Sequence, residues 1–517
     1  MTRWFNTAGP CKGDLHYLLP TERRMPELRA LIDQQTYFVL HAPRQVGKTT
    51  SLMSLAATLT AEGRYASVLV SVEVGAPYSV RDPGAAELAM LGSWRRAAEA
   101  VLPRELLPPP WPEANEGERL GAALQAWCTA IPRPLVLFID EIDAVYDDAL
   151  ISVLRQLRDG YRNRPQGFPW SLALIGLRDV RDYKVSTGVE GRLGTSSPFN
   201  IKVESLTLRD FRRDEVAELY AQHTDETGQR FEVDAIDRAF ELTQGQPWLV
   251  NALARQLTEK LVTDRSIAIT CADVDRARDV LIARNDTHLD SLAERLREPR
   301  VRHIVEPILA GLTLGDVPED DVRFCKDLGL LRQTDAGGLV IANPIYAEVI
   351  PRTLSYVPRA SLPQIAPSWL RPDGSLDGDK LLSAFVAFWR KHGQPLMGSA
   401  PYHEIAPHLV LLAFLDRVAN GGGRVEREYA IGSGRMDVLL MYGDARVAME
   451  LKVWRDGRPD PLAEGLEQLE AYLAGLGLDE GWLVLFDRRS GLPHLEERVR
   501  VEEARTESGR RVRVVRG

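Results

Sequence analysis

The chain has 517 residues, 44% of them apolar and 26% charged, the balance of a globular protein with enough core for about three to four domains. A net charge of −9 excludes a generally basic nucleic-acid binder, so any such contact has to come from a local patch. The four cysteines (Cys11, Cys128, Cys271, Cys325) are far apart, which argues against zinc and disulfide frameworks and for a reducing, cytoplasmic setting. No run approaches the ~18 apolar residues of a membrane span, and no signal peptide opens the chain.

Residues 1–20 are rich in turn formers and have no period; they are candidates to cover the base or ribose side of a nucleotide. Thr21 to Gln35 reads as a helix. Tyr37 to Leu40 is an apolar run that reads as a buried strand, and Gly47-Lys48-Thr49-Thr50 opens a helix after a turn. Strand, phosphate loop and helix in that order suit a nucleoside triphosphate, with loop N–H groups and the positive helix end facing the phosphates. The expected contacts run through Ala42, Pro43, Arg44, Gln45, Val46, Gly47, Lys48, Thr49 and Thr50. Lys48 would reach the β/γ-phosphates and the Thr49 hydroxyl would serve Mg²⁺. The pattern departs from its strict form at Ala42, where a glycine is usual.

Tyr65–Val74 reads as a second buried strand, and the proline-rich residues 103–118 as a surface loop. Leu135–Asp143 (LVLFIDEID) is a strand that delivers two acids at its carboxyl end. Asp140 would hold Mg²⁺ through water and Glu141 would orient or deprotonate the attacking water. Ser171–Gly176 is a third strand ending in Leu177-Arg178-Asp179, where Arg178 is either a phosphate contact or half of a surface ion pair. Arg192 is a weaker candidate. From Ser205 onward apolar residues recur at three- and four-residue spacing, which predicts a helical lid over 205–298, broken at Gly245-Gln246-Pro247. Residues 299–356 read as helix, helix, short hairpin and helix, a small winged helix with few basic residues for reading DNA.

The ordered motifs APRQVGKTT, LVLFIDEID, IGLRD, SLTLRDF, GQPWLVNALA and the winged helix resemble the STAND branch of AAA-related P-loop ATPases, over about residues 20–356. The resemblance implies ATP as the nucleotide, Arg178 as its sensor, Pro247 against the adenine, and a lid and winged helix that close as a switch. Many relatives carry a winged-helix histidine at a position where this chain has Ile341-Ala342-Asn343-Pro344.

A linker rich in proline follows (357–380), and then a second constellation. Helices at Leu381–Trp389 and His403–Val418 precede three strands, Gly423–Ile431, Arg435–Tyr442 and Ala445–Trp454, the last two joined by a Gly443-Asp444 turn. Asp437 lies on one strand; Glu450 and Lys452 share one face of the next. Two carboxylates suit one or two Mg²⁺ ions, and a lysine beside them suits phosphodiester hydrolysis. Glu426 and Glu428 fit an ordinary exposed strand face. The basic stretch from Gly509 to Arg516 reads as a solvated tail, with a nucleic-acid patch as its competitor.

Asp, twelve residues, then Glu-x-Lys resembles the PD-(D/E)XK nuclease fold, over about residues 381–490. Glu404 then matches the additional acid of that family, and Gln468, on a helix at Glu464–Leu473, its glutamine. The expected fold class is α/β multidomain: a P-loop ATPase with parallel sheet, helical lid and winged helix (1–204, 205–298, 299–356), then a restriction-endonuclease-like domain (381–517). The expected function is an ATP-regulated, Mg²⁺-dependent nuclease acting on nucleic acid, DNA before RNA, in defence or genome maintenance, working as a homo-oligomer and away from membranes. Two rivals stand beside it: an ATP-driven switch or scaffold whose C-terminal domain only binds nucleic acid or a partner, and a DNA-stimulated ATPase motor.

Overall fold

The computed structural model describes residues 3–78, 82–177, 201, 204–284, 295–296, 298–309, 314, 317–334, 337–354, 368–399, 406–419, 422–431 and 434–517. It forms two compact units, residues 1–284 with 323–332, and residues 285–322 with 333–517.

The first unit is built on five parallel strands: β1 (Tyr37–His41), β2 (Ala66–Ser71), β3 (Leu135–Asp140), β4 (Ser171–Gly176) and β5 (Glu204–Thr207), in the order β2-β3-β4-β1-β5. β1 shows why its sequence is continuously apolar. Tyr37 and Val39 face a core shared with Trp94, Trp127 and Leu154. Phe38 and Leu40 face the other core, with Leu52, Leu55 and Leu59 of the helix Lys48–Ala61. A parallel strand covered on both faces has no polar side to show. β5 corrects the sequence reading, which gave Ser205 to the helical lid. Its Ser205 pairs in register with Val39, closing the sheet beyond β1, and the lid helices begin only at Arg213–Thr227. Val233–Thr243, Pro247–Gln256 and Cys271–Arg284 complete the lid helices among the described residues. The helix expected over 21–35 is two pieces, Thr21–Arg24 and Glu27–Asp33, separated at Pro26; proline lacks the N–H that a helix interior needs.

In the second half of the chain, helices Pro299–Leu309 and Glu319–Asp327, strands β6 (Leu331–Gln333) and β7 (Leu339–Ile341), and helix Pro344–Leu354 follow in the expected order. Pro351 lies inside that last helix. Trp369 and Leu376, near the end of the expected linker, are buried in the C-terminal core.

That core supports a six-stranded mixed sheet of β8 (Gly423–Ile431), β9 (Gly434–Tyr442), β10 (Ala445–Trp454), β11 (Glu480–Asp487), β12 (Arg500–Arg505) and β13 (Arg511–Arg516). The order is β12-β13-β11-β10-β9-β8. β8, β9 and β10 form an antiparallel meander, while β10, β11 and β13 run parallel. Helices Gly378–Ser399 and Ala406–Ala419 pack one face through Phe385, Trp389, Leu411 and Phe414. Helix Leu462–Leu476 packs the other through Leu469 and Leu473. The basic stretch near the end is therefore not a solvated tail: Val512, Val514 and Val515 are buried, and Arg510, Arg513 and Arg516 are ion-paired to Glu470, Glu503 and Glu502. Glu426 also departs from expectation, being buried and paired with Arg424 instead of exposed.

Among the described residues no helix is long and apolar enough to cross a membrane. All four cysteines are free thiols.

Candidate functional sites

The phosphate loop leaves the carboxyl end of β1 and enters the helix Lys48–Ala61 through Gly47, whose φ of +88° only glycine adopts readily. No side chain caps this helix, so its first N–H groups stay available to an anion. Ala42 has no positive φ, is fully buried in the sheet core, and its N–H donates to the Gly176 carbonyl at 3.3 Å. A glycine is not demanded there, which accounts for the departure from the strict motif. Pro43 and Val46 continue the loop, with Arg44 and Gln45 exposed at its tip. Gln45 takes a φ of +59°.

Lys48 Nζ donates to the carbonyls of Ala42 (2.7 Å) and Pro43 (2.8 Å), folding back over the loop it would exchange for phosphate. Burial pulls its ammonium down to about 8, against the carboxylates of Asp140 and Asp143, which act to raise it. Thr49 Oγ1 donates to Asp140 Oδ2 at 2.7 Å, so β3 and the loop meet at the two groups assigned to Mg²⁺. Asp140 is 5% exposed, and burial raises its carboxyl above the usual carboxylate value. Glu141 has a left-handed backbone (φ +61°) that turns its side chain toward Ser71, whose hydroxyl donates to Oε2 at 2.6 Å. Burial raises its carboxyl too. These hard oxygen donors fit a magnesium ion beside a triphosphate.

A cavity of about 130 Å³ adjoins the loop, with Val46, Gly47 and Thr50 on one side and Pro247, Trp248 and Asn251 of the lid on another. Pro247, expected against the adenine, is one of the residues lining this cavity. The N-terminal segment closes the remaining wall: Cys11 N–H donates to Thr50 Oγ1 (2.9 Å), and Trp248 Nε1 donates to the Thr7 carbonyl (2.8 Å). Arg24 was not identified from sequence. It is 6% exposed, donates from Nη1 to the Val46 carbonyl (2.8 Å) and from Nη2 to the Arg209 carbonyl, and lies 4.8 Å from the Phe211 ring. It braces the loop against the segment leading into the lid. No spacing rule marks it; an arginine in a short helix is indistinguishable from a surface one until the helix is docked. Arg178 and Arg192 lie outside the described residues.

In the second unit, β9 and β10 are registered so that Val438 faces Met449, which sets Asp437 beside Glu450 at the next position. Asp437 Oδ2 accepts the Leu451 N–H at 2.8 Å. Lys452 Nζ lies 3.3 Å from Glu450 Oε1 and 3.1 Å from Glu464 Oε1. Asp437, Glu450 and Lys452 are therefore together, on the face covered by helix Leu462–Leu476. Glu450 is 3% exposed; burial first, and then the charge of Asp437, push its carboxyl up to about 8. Its Oε2 is buried with no hydrogen-bond partner, and so is Gln468 Oε1 on the covering helix. Orphaned oxygens beside two acids fit a hard cation, which would lower the Glu450 carboxyl again. Among the described residues no group of three or more His, Cys, Asp or Glu is arranged to hold a metal; Glu404, the expected third acid, lies outside them.

Comparison with known proteins follows these sites unevenly. Residues 31–183 match the family model of the AAA domain. No curated protein matches the chain. Among solved structures, the Walker-type ATPase of Pyrococcus abyssi is similar at 15% identity and a TM-score of 0.48, over 67% of this chain and 99% of that one. The RuvB Holliday junction branch migration motor of Thermotoga maritima (18%, TM-score 0.34) is matched over 62% of this chain and 90% of its own. The ORC1 protein of Aeropyrum pernix, solved in complex with DNA (15%, TM-score 0.34), is matched over 66% and 94%.

Proposed function

We propose that this chain, whose residues 31–183 are an AAA-type P-loop ATPase domain, uses ATP to control a Mg²⁺-dependent nuclease in its C-terminal domain. The observation that carries the nuclease reading is the juxtaposition of Asp437, Glu450 and Lys452, with Glu450 Oε2 buried and unpartnered beside them.

In the ATPase domain, Lys48 leaves the Ala42 and Pro43 carbonyls for the β/γ-phosphates, and its low-lying ammonium is restored to full charge by them. Thr49 and Asp140 would hold Mg²⁺, which would neutralise phosphate charge. Glu141, released from Ser71, orients the attacking water. Pro247 packs on the base and Arg178 senses the γ-phosphate, as in a STAND-type switch whose lid and winged helix follow the nucleotide state. In the C-terminal domain Asp437 and Glu450 would hold Mg²⁺, supplying an activated water. Lys452 stays cationic, its ammonium above the usual lysine value despite burial because Glu450 and Glu464 face it, and it stabilises the pentavalent phosphate. Gln468 is assigned to the site as well, and Glu404 by the resemblance alone. DNA is the substrate favoured, and an oligomer the active form.

The test is plasmid cleavage with Mg²⁺, with and without ATP. The expected outcome is cleavage by the wild type that responds to ATP, no cleavage by Glu450→Ala with ATP hydrolysis retained, and loss of the ATP response in Lys48→Ala. Equal behaviour of wild type and Glu450→Ala would remove the nuclease. The incomplete acid cluster keeps a second reading in view, a C-terminal domain that binds DNA without cutting it; Mg²⁺-dependent binding with no scission would favour that.

A further inference from the structure

The phosphate loop accounts for the charged end of a nucleotide but not for its base. With the phosphates at Gly47 and Lys48, the nucleoside has the adjoining cavity to enter, between the loop and the lid helix Pro247–Gln256. Leu19, Phe211, Leu219, Pro247 and Trp248 give this cavity apolar walls. Such walls suit a flat heterocycle, and its orientation then depends on a few polar groups.

Several of the polar side chains around the cavity are already committed. Asn6 Nδ2 donates to the Gly9 carbonyl at 3.0 Å, and Asn6 Oδ1 accepts the Ala8 N–H at 3.2 Å. Thr7 Oγ1 accepts from Arg255 Nη1 at 2.9 Å, and the Tyr17 hydroxyl meets His223 Nδ1 at 3.3 Å. Among the described residues lining the cavity, two keep a buried atom without a hydrogen-bond partner, Arg24 Nε and Asn251 Oδ1. Arg24 is a donor at the phosphate end, bonded to the Val46 carbonyl of the loop. Asn251 Oδ1 is an acceptor, and it belongs to the lid.

Asn251 lies one turn after Pro247, so the two share the helix face that lines the cavity. Its Nδ2 donates to the Pro247 carbonyl at 2.8 Å. That bond fixes which way the amide is turned: the nitrogen is spent on the helix and the oxygen is left over. The residue is 8% exposed, and a buried amide oxygen without a donor is costly. A ligand that supplies the donor removes the cost. We propose that Asn251 is the base-selecting residue of the nucleotide site, its Oδ1 accepting a hydrogen bond from the exocyclic amine of adenine. Guanine carries a carbonyl oxygen where adenine carries that amine, so it sets oxygen against oxygen and leaves the asparagine unpaired. The inference rests on the ATP reading of the phosphate loop and adds to it the atom that reads the base.

The test is a calorimetric titration of the full chain in metal-free buffer, so that nothing is hydrolysed. The ligands are ATP, GTP and purine riboside triphosphate, which has a hydrogen in place of the amine. The wild type is expected to bind ATP roughly tenfold more tightly than purine riboside triphosphate, the loss that follows when a buried acceptor is left unpaired. GTP should bind no better than the analogue. In Asn251→Leu, and in the smaller Asn251→Ala, the gap should close, with ATP falling to the level of the analogue. Each comparison is a ratio of two ligands on one protein, so a general loss of stability does not imitate it. Equal affinity of the wild type for ATP and either competitor would overturn the proposal, and so would a gap that survives both substitutions. Lys48→Ala separates this from the reading beneath it. Binding that needs Lys48 but ignores the amine removes Asn251 and leaves the ATP site; binding that Lys48→Ala does not weaken removes both.

Discussion

At the scale of single residues, the phosphate loop separates what its motif requires from what it tolerates. Lys48 is bound to two carbonyls of its own loop, so a nucleotide has to offer it better acceptors. Lys48→Ala is expected to lower ATP turnover about 10²- to 10³-fold, the usual loss for one preorganised donor, read in a steady-state phosphate-release assay. Ala42 makes the opposite case. Its buried methyl and ordinary backbone predict that Ala42→Gly keeps nucleotide affinity while lowering stability by about 0.5–1 kcal/mol, through unfolded-chain entropy. A gain in ATP affinity would show instead that the loop is strained without glycine. Legibility at this scale followed locality. The placement of Lys48, Thr49, Asp140, Asp437, Glu450 and Lys452 was readable because each is presented by one strand end or one hairpin. Arg24 was not, since its partners, the carbonyls of Val46 and Arg209, are 22 and 185 residues away.

At the scale of elements, the joint between sheet and lid depends on a glycine. Gly245 has a φ of +77°, its carbonyl accepts the Phe211 N–H at 2.9 Å, and a Cβ there would lie 1.8 Å from the Phe211 carbonyl oxygen. Gly245→Ala should destabilise by more than the ~1–2 kcal/mol of a left-handed alanine alone, because backbone has to move; thermal melting of the ligand-free chain would show the loss. The N-terminal segment offers a second element-scale prediction. His223 is buried against Tyr17 (3.3 Å), Gln229 (3.0 Å) and Arg265 (3.1 Å). Burial lowers its pKa below the ordinary 6.5. A base held neutral in the fold contributes stability that is complete above that value and is lost as pH falls below it. Melting temperature should therefore drop below about pH 6.5 in the wild type and less steeply in His223→Gln, and equal slopes would remove the histidine as the cause.

At the scale of the whole molecule, the phosphate loop and the Asp437–Glu450–Lys452 cluster belong to separate compact units, which calls for measurements that treat them as separable. Glu141→Gln is expected to keep ATP bound while slowing hydrolysis, if the carboxylate takes the proposed role of orienting the attacking water. Retained nucleotide with slow turnover that DNA does not accelerate would mark a switch; strong stimulation by DNA would mark a motor.

The sequence by itself determined the strand–loop–helix of the nucleotide site, the acids of β3, and the hairpin that brings Asp437 to Glu450 and Lys452. In each case the information lies in a short stretch, where side-chain period and turn chemistry dictate the outcome. Only the tertiary structure decided that Ser205 joins β5 instead of the lid, that the basic end of the chain is the buried strand β13, and that residues 6–9, 11 and 17–19 wall the cavity beside the phosphate loop. Those outcomes depend on partners far along the chain. A strand edge accepts whichever segment reaches it with the right register, and an arginine becomes a brace or an ion pair only when docking removes it from water.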